Sequence, residues 1–494
     1  MLRLLSACLA YLVLLAHAIA TDLPPPAALA GTSSTGHAFT IRKQNASLCD
    51  AGSTQWTGTV KVSPERSIFF WFYESRNNPS ADPLILWLSG GPAASSMMGL
   101  LAEVGPCTTD GTTTKRRGPS WSSKANLLFV DQPAGTGFST VTRASAAPTT
   151  LAAASQDMNT FLHVFQTSIF PSLSTHSFHF GGESFAGRYI PAYAKYIFGK
   201  QKSKAPDAVP AKIESLVLIN AVIDQLQNTL GLVDHFCSAR PGENGFGTGF
   251  NASACAAMRR GIPECERQDQ SCRDTNNLNG CRRAYTTCED GIGKYFQNDV
   301  VPGGRNPYDD RLNCTTPPAC RAKSYDRLVK YCNLPSVQSQ LGFSTPIKFQ
   351  GINFELNSRW SAAGDPLLPA TKDLAYLLDE TSIKILFING NNDVVVNTPG
   401  QIRALDALVW SQQSRYRQEQ FKPWGFSAPG GKAKKSGMVK GVDRLKLVTV
   451  DNAGHEAPSS QPEACLAVLN NWLENKVLES GRILGKEKTS LELL

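Results

Sequence analysis

The chain has 494 residues, with 49 Lys and Arg against 41 Asp and Glu, a formal net charge of +8 that falls by one if Arg3 leaves with an N-terminal leader. The basic residues are scattered apart from the run GKAKK (431–435), which reads as a solvated loop. No basic stripe interleaved with aromatics is present, which excludes a nucleic-acid partner. Beyond the first twenty residues no run reaches the about 18 to 20 apolar residues of a membrane span, so the exported chain is expected to be soluble.

In chain order, MLRLLSACLAYLVLLAHAIA (1–20) carries an early Arg3, an apolar run and the small-residue ending Ala18-Ile19-Ala20. It reads as a secretory signal peptide cleaved after Ala20 and predicts a secreted rather than vacuolar protein. Residues 21–494 then read as one large α/β body. Strands are predicted over 83–91, 125–133, 177–184, 213–222, 383–393 and 445–455, several as near-continuous apolar runs suited to a sheet covered on both faces. Helical patterns fill 155–170, 186–200 and 462–475, an alternation that predicts a mainly parallel sheet with helices on both sides. The alternation breaks over about 228–350, where eight of the thirteen cysteines fall between 255 and 332; this segment is expected to be a disulfide-stapled cap near the active site. The polar tail 485–494 is expected to be mobile. Removal of Cys8 with the leader leaves twelve cysteines, and an even count in an exported chain favours disulfides. CxxC pairs with accompanying histidines are missing, so no metal site is expected. Asn45, Asn251 and Asn313 open glycosylation sequons in polar surroundings.

Three strand ends carry candidate chemistry. Gly182-Glu183-Ser184-Phe185-Ala186 lies between a predicted strand and a predicted helix, the context of a nucleophile elbow. A serine there can equally be a helix N-cap. Asp393 follows the strand ILFING and His455 follows LKLVTV on a glycine-flanked loop. A lone aspartate there is more often a turn residue, but Ser184, Asp393 and His455 occur in the order expected of an α/β-hydrolase. His179, inside a strand, reads as a packed histidine. WLSGGPAASSMMGLLAEVGPC (87–107) adds a glycine pair whose backbone N–H groups can approach an oxyanion.

With these stretches, and with ANLLFVDQPAGTGFS, GGESFAGRYIPAYA, NGNNDVVVN and AGHEAPSSQP, the chain resembles the serine carboxypeptidases of the secreted or vacuolar type, especially fungal ones, from about Thr57 to Leu473. The resemblance implies Ser184 as nucleophile, His455 as general base and then acid, Asp393 as its orienting partner, and the N–H groups of Gly91 and Phe185 as oxyanion hole. It implies recognition of a free substrate C-terminus by Trp87, Ser89, Gly90, Glu103 and Glu183, two glutamates sharing a proton to hold a carboxylate. Glu183 could otherwise serve only as a helix-start carboxylate. The implied activity releases C-terminal amino acids from peptides and proteins through an acyl-enzyme, best in acid, with no metal or organic cofactor.

The resemblance also has departures. SGGPAA stands where the family has NGGPG, so Ser89 replaces an amide and Ala93 a glycine. If that position needs positive φ, alanine costs about 1 kcal/mol or more. Ala94 and Ile352 stand where many members have a disulfide, which suggests an apolar contact instead. Of the bridges, Cys265–Cys288 enclosing Cys272–Cys281, and Cys314–Cys320, resemble the family's nested and short loops. Cys237–Cys255 and Cys49–Cys107 are further candidates, and Cys332 and Cys465 are left as a candidate sixth pair. Two competing readings are an acyltransferase or esterase on the same triad and a non-catalytic homologue.

Overall fold

The computed structural model describes residues 27–238, 249–315, 320, 322–426 and 434–476; the expected leader 1–20 and the expected mobile tail 485–494 lie outside them. Fifteen strands are found: β1 (Leu29–Thr32), β2 (Ala38–Gln44), β3 (Gln55–Ser63), β4 (Arg66–Tyr73), β5 (Leu84–Leu88), β6 (Cys107–Thr109), β7 (Thr114–Arg116), β8 (Asn126–Asp131), β9 (Thr140–Val141), β10 (Phe178–Glu183), β11 (Ile213–Ile219), β12 (Lys384–Gly390), β13 (Lys422–Phe426), β14 (Lys434–Val442) and β15 (Leu445–Val450). All but β6 and β7 join one sheet in the order β1-β2-β3-β4-β8-β5-β10-β11-β12-β15-β14-β13, with β9 on β4. From β8 to β15 every neighbouring pair is parallel. The two flanks are antiparallel, so the sheet is mixed around a parallel centre. Of the run 431–435, the last two residues open β14 and the first three lie outside the described residues.

The central strands are apolar on both faces because each face has its own core. Leu84, Leu86 and Leu88 of β5, with Phe178, Phe180, Ile385 and Phe387, pack into one cluster under the helices Leu151–Val164 and Ala186–Lys202. The alternate residues Ile85, Trp87, Phe129, Val217, Leu386 and Ile388 pack on the other side with the helix Pro462–Leu473. Period-two alternation with no polar side is what a strand buried on both faces requires.

Between β11 and β12 the chain makes a helical excursion. The helix Gln225–Cys237 is capped by Asp224, whose carboxylate accepts from the Leu226 and Gln227 N–H groups at 3.1 and 3.2 Å. Helix Ala252–Thr275 ends on left-handed Asn276 and turns back into Leu278–Cys288. Cys265 and Cys272, seven residues apart on one helix, meet Cys288 and Cys281, seven apart on the other. Two turns of helix return to the same face, so both bridges form along one seam. With Leu230, Phe236, Met258 and Ile292 they make a third apolar cluster, so this segment has a small core of its own besides its staples. Cys237–Cys255, Cys314–Cys320 and Cys49–Cys107 are also bonded.

The sixth pair does not form: Cys332 and Cys465 are both free and buried. They ride on different helices, Lys323–Cys332 and Pro462–Leu473, and pack as small apolar side chains in the second cluster. Asn45, Asn251 and Asn313 are all exposed. Among the described residues no helix is long and apolar enough to cross a membrane.

Candidate active site

Ser184 follows β10 directly and has φ +62°, the left-handed conformation of a strained turn between strand and helix. Its N–H donates to the Ile219 carbonyl at 3.0 Å, and its carbonyl accepts from Gly187 and Val222 N–H at 3.0 and 2.9 Å. Its backbone donor and acceptor are thus both engaged and its side chain is partly exposed, while Phe185, not Ser184, stands at the N-cap position of the helix. The turn is tight on both sides. A Cβ on Gly182 would lie 2.6 Å from the Leu88 carbonyl, and one on Gly90 would lie 2.3 Å from the Phe185 nitrogen and 2.8 Å from Ser184 Cβ. Glycine is therefore required where the 89–92 turn approaches the elbow. Gly91, with φ +104°, is exposed, and neither its N–H nor that of Phe185 is engaged by another described residue.

His455 sits past β15 with Nδ1 2.6 Å from Asp393 Oδ2, and its backbone N–H donates to the Tyr308 carbonyl at 2.7 Å. Asp393, fully buried past β12, also accepts from Asn220 Nδ2 at 2.8 Å. Asn220, left-handed at the end of β11, links the elbow to this pair: the same loop's Val222 N–H reaches the Ser184 carbonyl. Ser184, Asn220, Asp393 and His455 thus occupy the C-terminal ends of β10, β11, β12 and β15, four consecutive strands of the parallel centre. Burial lowers the proton affinity of His455, but the Asp393 charge and hydrogen bond, with Glu456 and Glu103, outweigh it and leave the imidazole raised above its ordinary value.

Asn220 and Tyr308 are absent from the sequence-derived set. Asn220 reads as the end of an apolar strand, and Tyr308 comes from the helical excursion. The Tyr308 ring lies tilted by 55° to that of His455 with centroids 5.3 Å apart, and the Pro307 carbonyl accepts from the Val394 and Val395 N–H groups at 3.1 and 3.2 Å. Asp310, paired with buried His235 at 3.0 Å, also accepts from Asn392 at 2.9 Å. This irregular segment of the excursion therefore straps both loops that carry Asp393 and His455.

The carboxyls of Glu103 and Glu183 are buried and act directly on each other, and Glu103 Oε2 and Glu183 Oε2 have no hydrogen-bond partner among the other described residues. Burial raises Glu103, partly offset by Glu183 and by the charges of His455 and Arg117. Glu183 is raised well above the ordinary range, first by burial and then by the Glu103 charge. The pair therefore holds a proton more tightly than an isolated glutamate would. A third carboxyl, Glu456, half-buried beside His455, is pushed up to about 7 by burial and Glu103, against the pull of His455. Its sequence signal was an acid next to a loop histidine.

The other candidate residues are close-packed. Trp87 is buried, edge-on to Trp121 at 5.3 Å, with its indole N–H directed to Ser89 Oγ at 3.4 Å. Ser89 N–H donates to Ser96 Oγ at 3.2 Å, and Gly90 is buried against the elbow. Ala93 does adopt positive φ, +64°, with its methyl buried in the core. Ala94 and Ile352 form an isolated antiparallel bridge, so backbone pairing holds the loop where a disulfide is missing. His179 packs inside β10 on Ser215 Oγ at 2.7 Å, its proton affinity pushed down to about 3 chiefly by burial.

The serine carboxypeptidase family profile matches residues 48–475. Among curated relatives, carboxypeptidase Y homolog A of Coccidioides posadasii is 30% identical over 411 residues, covering 83% of this chain and 72% of that protein. Carboxypeptidase Y of Candida albicans is 31% identical over 422 residues, covering 85% and 73%. Among solved structures, Kex1, a prohormone-processing carboxypeptidase from Saccharomyces cerevisiae, shares the fold with a TM-score of 0.71 at 24% identity, over 86% of this chain and 91% of that one. With a match that spans the whole parallel centre and the helical excursion, the chain belongs to the serine carboxypeptidase family.

Proposed function

We propose that Ser184, His455 and Asp393 carry out carboxypeptidase chemistry on peptide C-termini, in a protein secreted to the exterior. Ser184 Oγ attacks the last peptide carbonyl while His455 takes its proton; the developing oxyanion is met by the Gly91 and Phe185 N–H groups. His455 then protonates the departing amine, and water opens the acyl-enzyme by the same route in reverse. Asp393 keeps Nδ1 protonated and stabilises the imidazolium. The Glu103–Glu183 pair, with Trp87, Ser89 and Gly90 around it, donates its shared proton to the substrate's terminal carboxylate. The observation that carries this reading is two buried carboxyls that act on each other and on a hydrogen-bonded His–Asp pair: a site that retains a proton can receive an anion, whereas two ionised glutamates would repel it.

The same coupling supports an acid optimum. Part of what holds His455 protonated is the charge of Glu103 and Glu456. Acid neutralises those carboxyls, which loosens their hold on the imidazolium proton and lets His455 act as base at a lower pH than it could beside ionised neighbours. Five disulfides and three exposed sequons suit export through an oxidising compartment.

The test is a pH series of KM and kcat on a blocked dipeptide with a free C-terminus and on its blocked ester, in wild type and Glu103→Gln. KM for the free acid should rise with pH as the pair loses its proton, and KM for the ester should not. Identical pH dependence for both substrates in both proteins would remove the carboxylate-binding reading and favour an esterase or acyltransferase. Ser184→Ala should lose both turnover and covalent labelling by a fluorophosphonate probe; retained turnover would reject the nucleophile.

A further inference from the structure

Glu103 ends a helical turn, Gly99–Glu103, and the chain then runs through the β6–β7 hairpin to Arg117. Arg117 is folded back onto that turn. Its N–H donates to the Pro106 carbonyl at 2.8 Å and its Nη2 to the Leu101 carbonyl at 3.1 Å, two residues before Glu103. Its own carbonyl is gripped by Arg76 Nη1 at 2.8 Å, and its Nε is buried without a hydrogen-bond partner. Among the described residues no carboxylate lies within ion-pair distance of it. A guanidinium bonded to a backbone carbonyl and left without a counter-ion has its charge free to act through its partly buried surroundings, and the carboxyl that answers it is Glu103. Burial weakens the hold of Arg117 on its proton and the Glu103 charge restores part of it, while Arg117 in turn favours ionised Glu103.

We infer that Arg117 is a positioning residue for peptide binding: with its guanidinium anchored on the turn that ends at Glu103, its charge tunes the carboxyl pair and so sets the pH range over which a free C-terminal carboxylate is held. This rests on the carboxylate-binding reading of Glu103 and Glu183. The other groups that act on or answer Glu103 are Glu183 at the end of β10, His455 and Glu456 after β15, and Cys465 on the helix Pro462–Leu473. Three of these are acids or a thiol and one is the titrating base, which leaves Arg117 as the permanent cation of the set. It has two opposed effects. Its field draws the substrate carboxylate in, and it also makes the pair surrender the shared proton sooner as pH rises.

Removing the charge should therefore weaken binding at low pH and extend it at high pH, a crossover that loss of packing alone would not produce. The experiment measures KM against pH for the free-acid dipeptide and its blocked ester in wild type, Arg117→Gln, Arg117→Met and Arg117→Lys, each checked for folding by thermal unfolding. For the free acid, the neutral variants should raise KM about threefold or more at pH 4.5 and move the midpoint of the alkaline rise upward by about 0.5 to 1 pH unit. Arg117→Lys should keep the wild-type midpoint. In a Glu103→Gln background the Arg117→Gln substitution should move the midpoint less than half as far. A folded neutral variant with an unmoved midpoint, or a Lys variant that shifts as far as Gln, overturns the inference. A wild type with no carboxylate-specific alkaline rise instead defeats the carboxyl-pair reading beneath it, so the two failures are distinguishable.

Discussion

Unfolding free energy should fall as pH rises from about 4 to 7. Asp131 is fully buried at the end of β8 and is pushed up to about 6; burial outweighs the hydrogen bonds it accepts from Ser95 Oγ and from the Phe138 and Ser96 N–H groups. Asp269, buried in the helical excursion, is pushed up to about 7 by burial and by Asp224. An acid raised in the folded state keeps its proton there after the unfolded chain has lost it. The native form then binds more protons, and each such group costs about 1.4 kcal/mol of stability per pH unit across its window. Shifts of about 2 units for Asp131 and 3 for Asp269 set a ceiling of about 7 kcal/mol, and relaxation and water entry around buried acids should leave about 3 kcal/mol of it. His455, raised above its ordinary value, acts in the same direction. Asp110 and Asp207 are lowered, and their contribution is present above the unfolded pKa and lost as pH falls further, so maximal stability should lie near pH 4 to 5. The assay is urea unfolding with disulfides intact at pH 4.5, 5.5, 6.5 and 7.5, supported by thermal scans at one rate, where about 1 kcal/mol corresponds to about 1 °C for a chain of this size. Asp269→Asn should flatten the profile between pH 5 and 7. A wild-type profile that is flat or rises over that range would refute the reasoning.

Gly90→Ala should displace the elbow, since its Cβ would meet the Phe185 nitrogen at 2.3 Å; at least a hundredfold loss of kcat/KM and slowed fluorophosphonate labelling are expected. Ala93→Gly should change stability by less than about 1 kcal/mol in urea unfolding, because relief of positive φ is offset by loss of a buried methyl and the greater freedom of glycine in the unfolded chain. Glu456→Gln should lower kcat/KM for peptides ending in Lys relative to those ending in Leu, about threefold or more above pH 7, if an ionised carboxylate next to His455 attracts a basic departing residue; an unchanged ratio would remove it from that subsite. Thiol titration of the mature protein should find Cys332 and Cys465 unreactive until it is denatured, and peptide mapping should find the other ten cysteines paired.

The six strands legible as apolar runs all form, each starting at or within one residue of its predicted first position; the predictions overran at the C-terminal ends because the motifs run on from the strands into the loops that follow. Strands β1 to β4 and β14 escaped notice because at least one face of several is exposed or half-exposed, and stretches such as AFTIRKQ and QWTGTVKVS alternate rather than run apolar. The excursion was legible through its cysteines but not as a strap on the active site. The contact of Tyr308 with His455 joins residues 147 apart in sequence through a backbone carbonyl, which no side-chain pattern signals. Asn220 and Glu456 were hidden similarly, each inside a motif whose neighbours drew the attention.

The order of strands in the sheet also fixes an order of events during synthesis. β10 is flanked by β5 and β11, so the elbow and both of its neighbours are complete by residue 219 and can assemble from local sequence. The acid and the base arrive only after an excursion of roughly 160 residues, on β12 and β15, which extend the parallel centre outward from an edge already laid down. A nascent chain therefore displays its serine long before anything can activate it. With the roles proposed above, it stays inert toward other emerging polypeptides until nearly the whole sequence has been translated and the last parallel strand has docked.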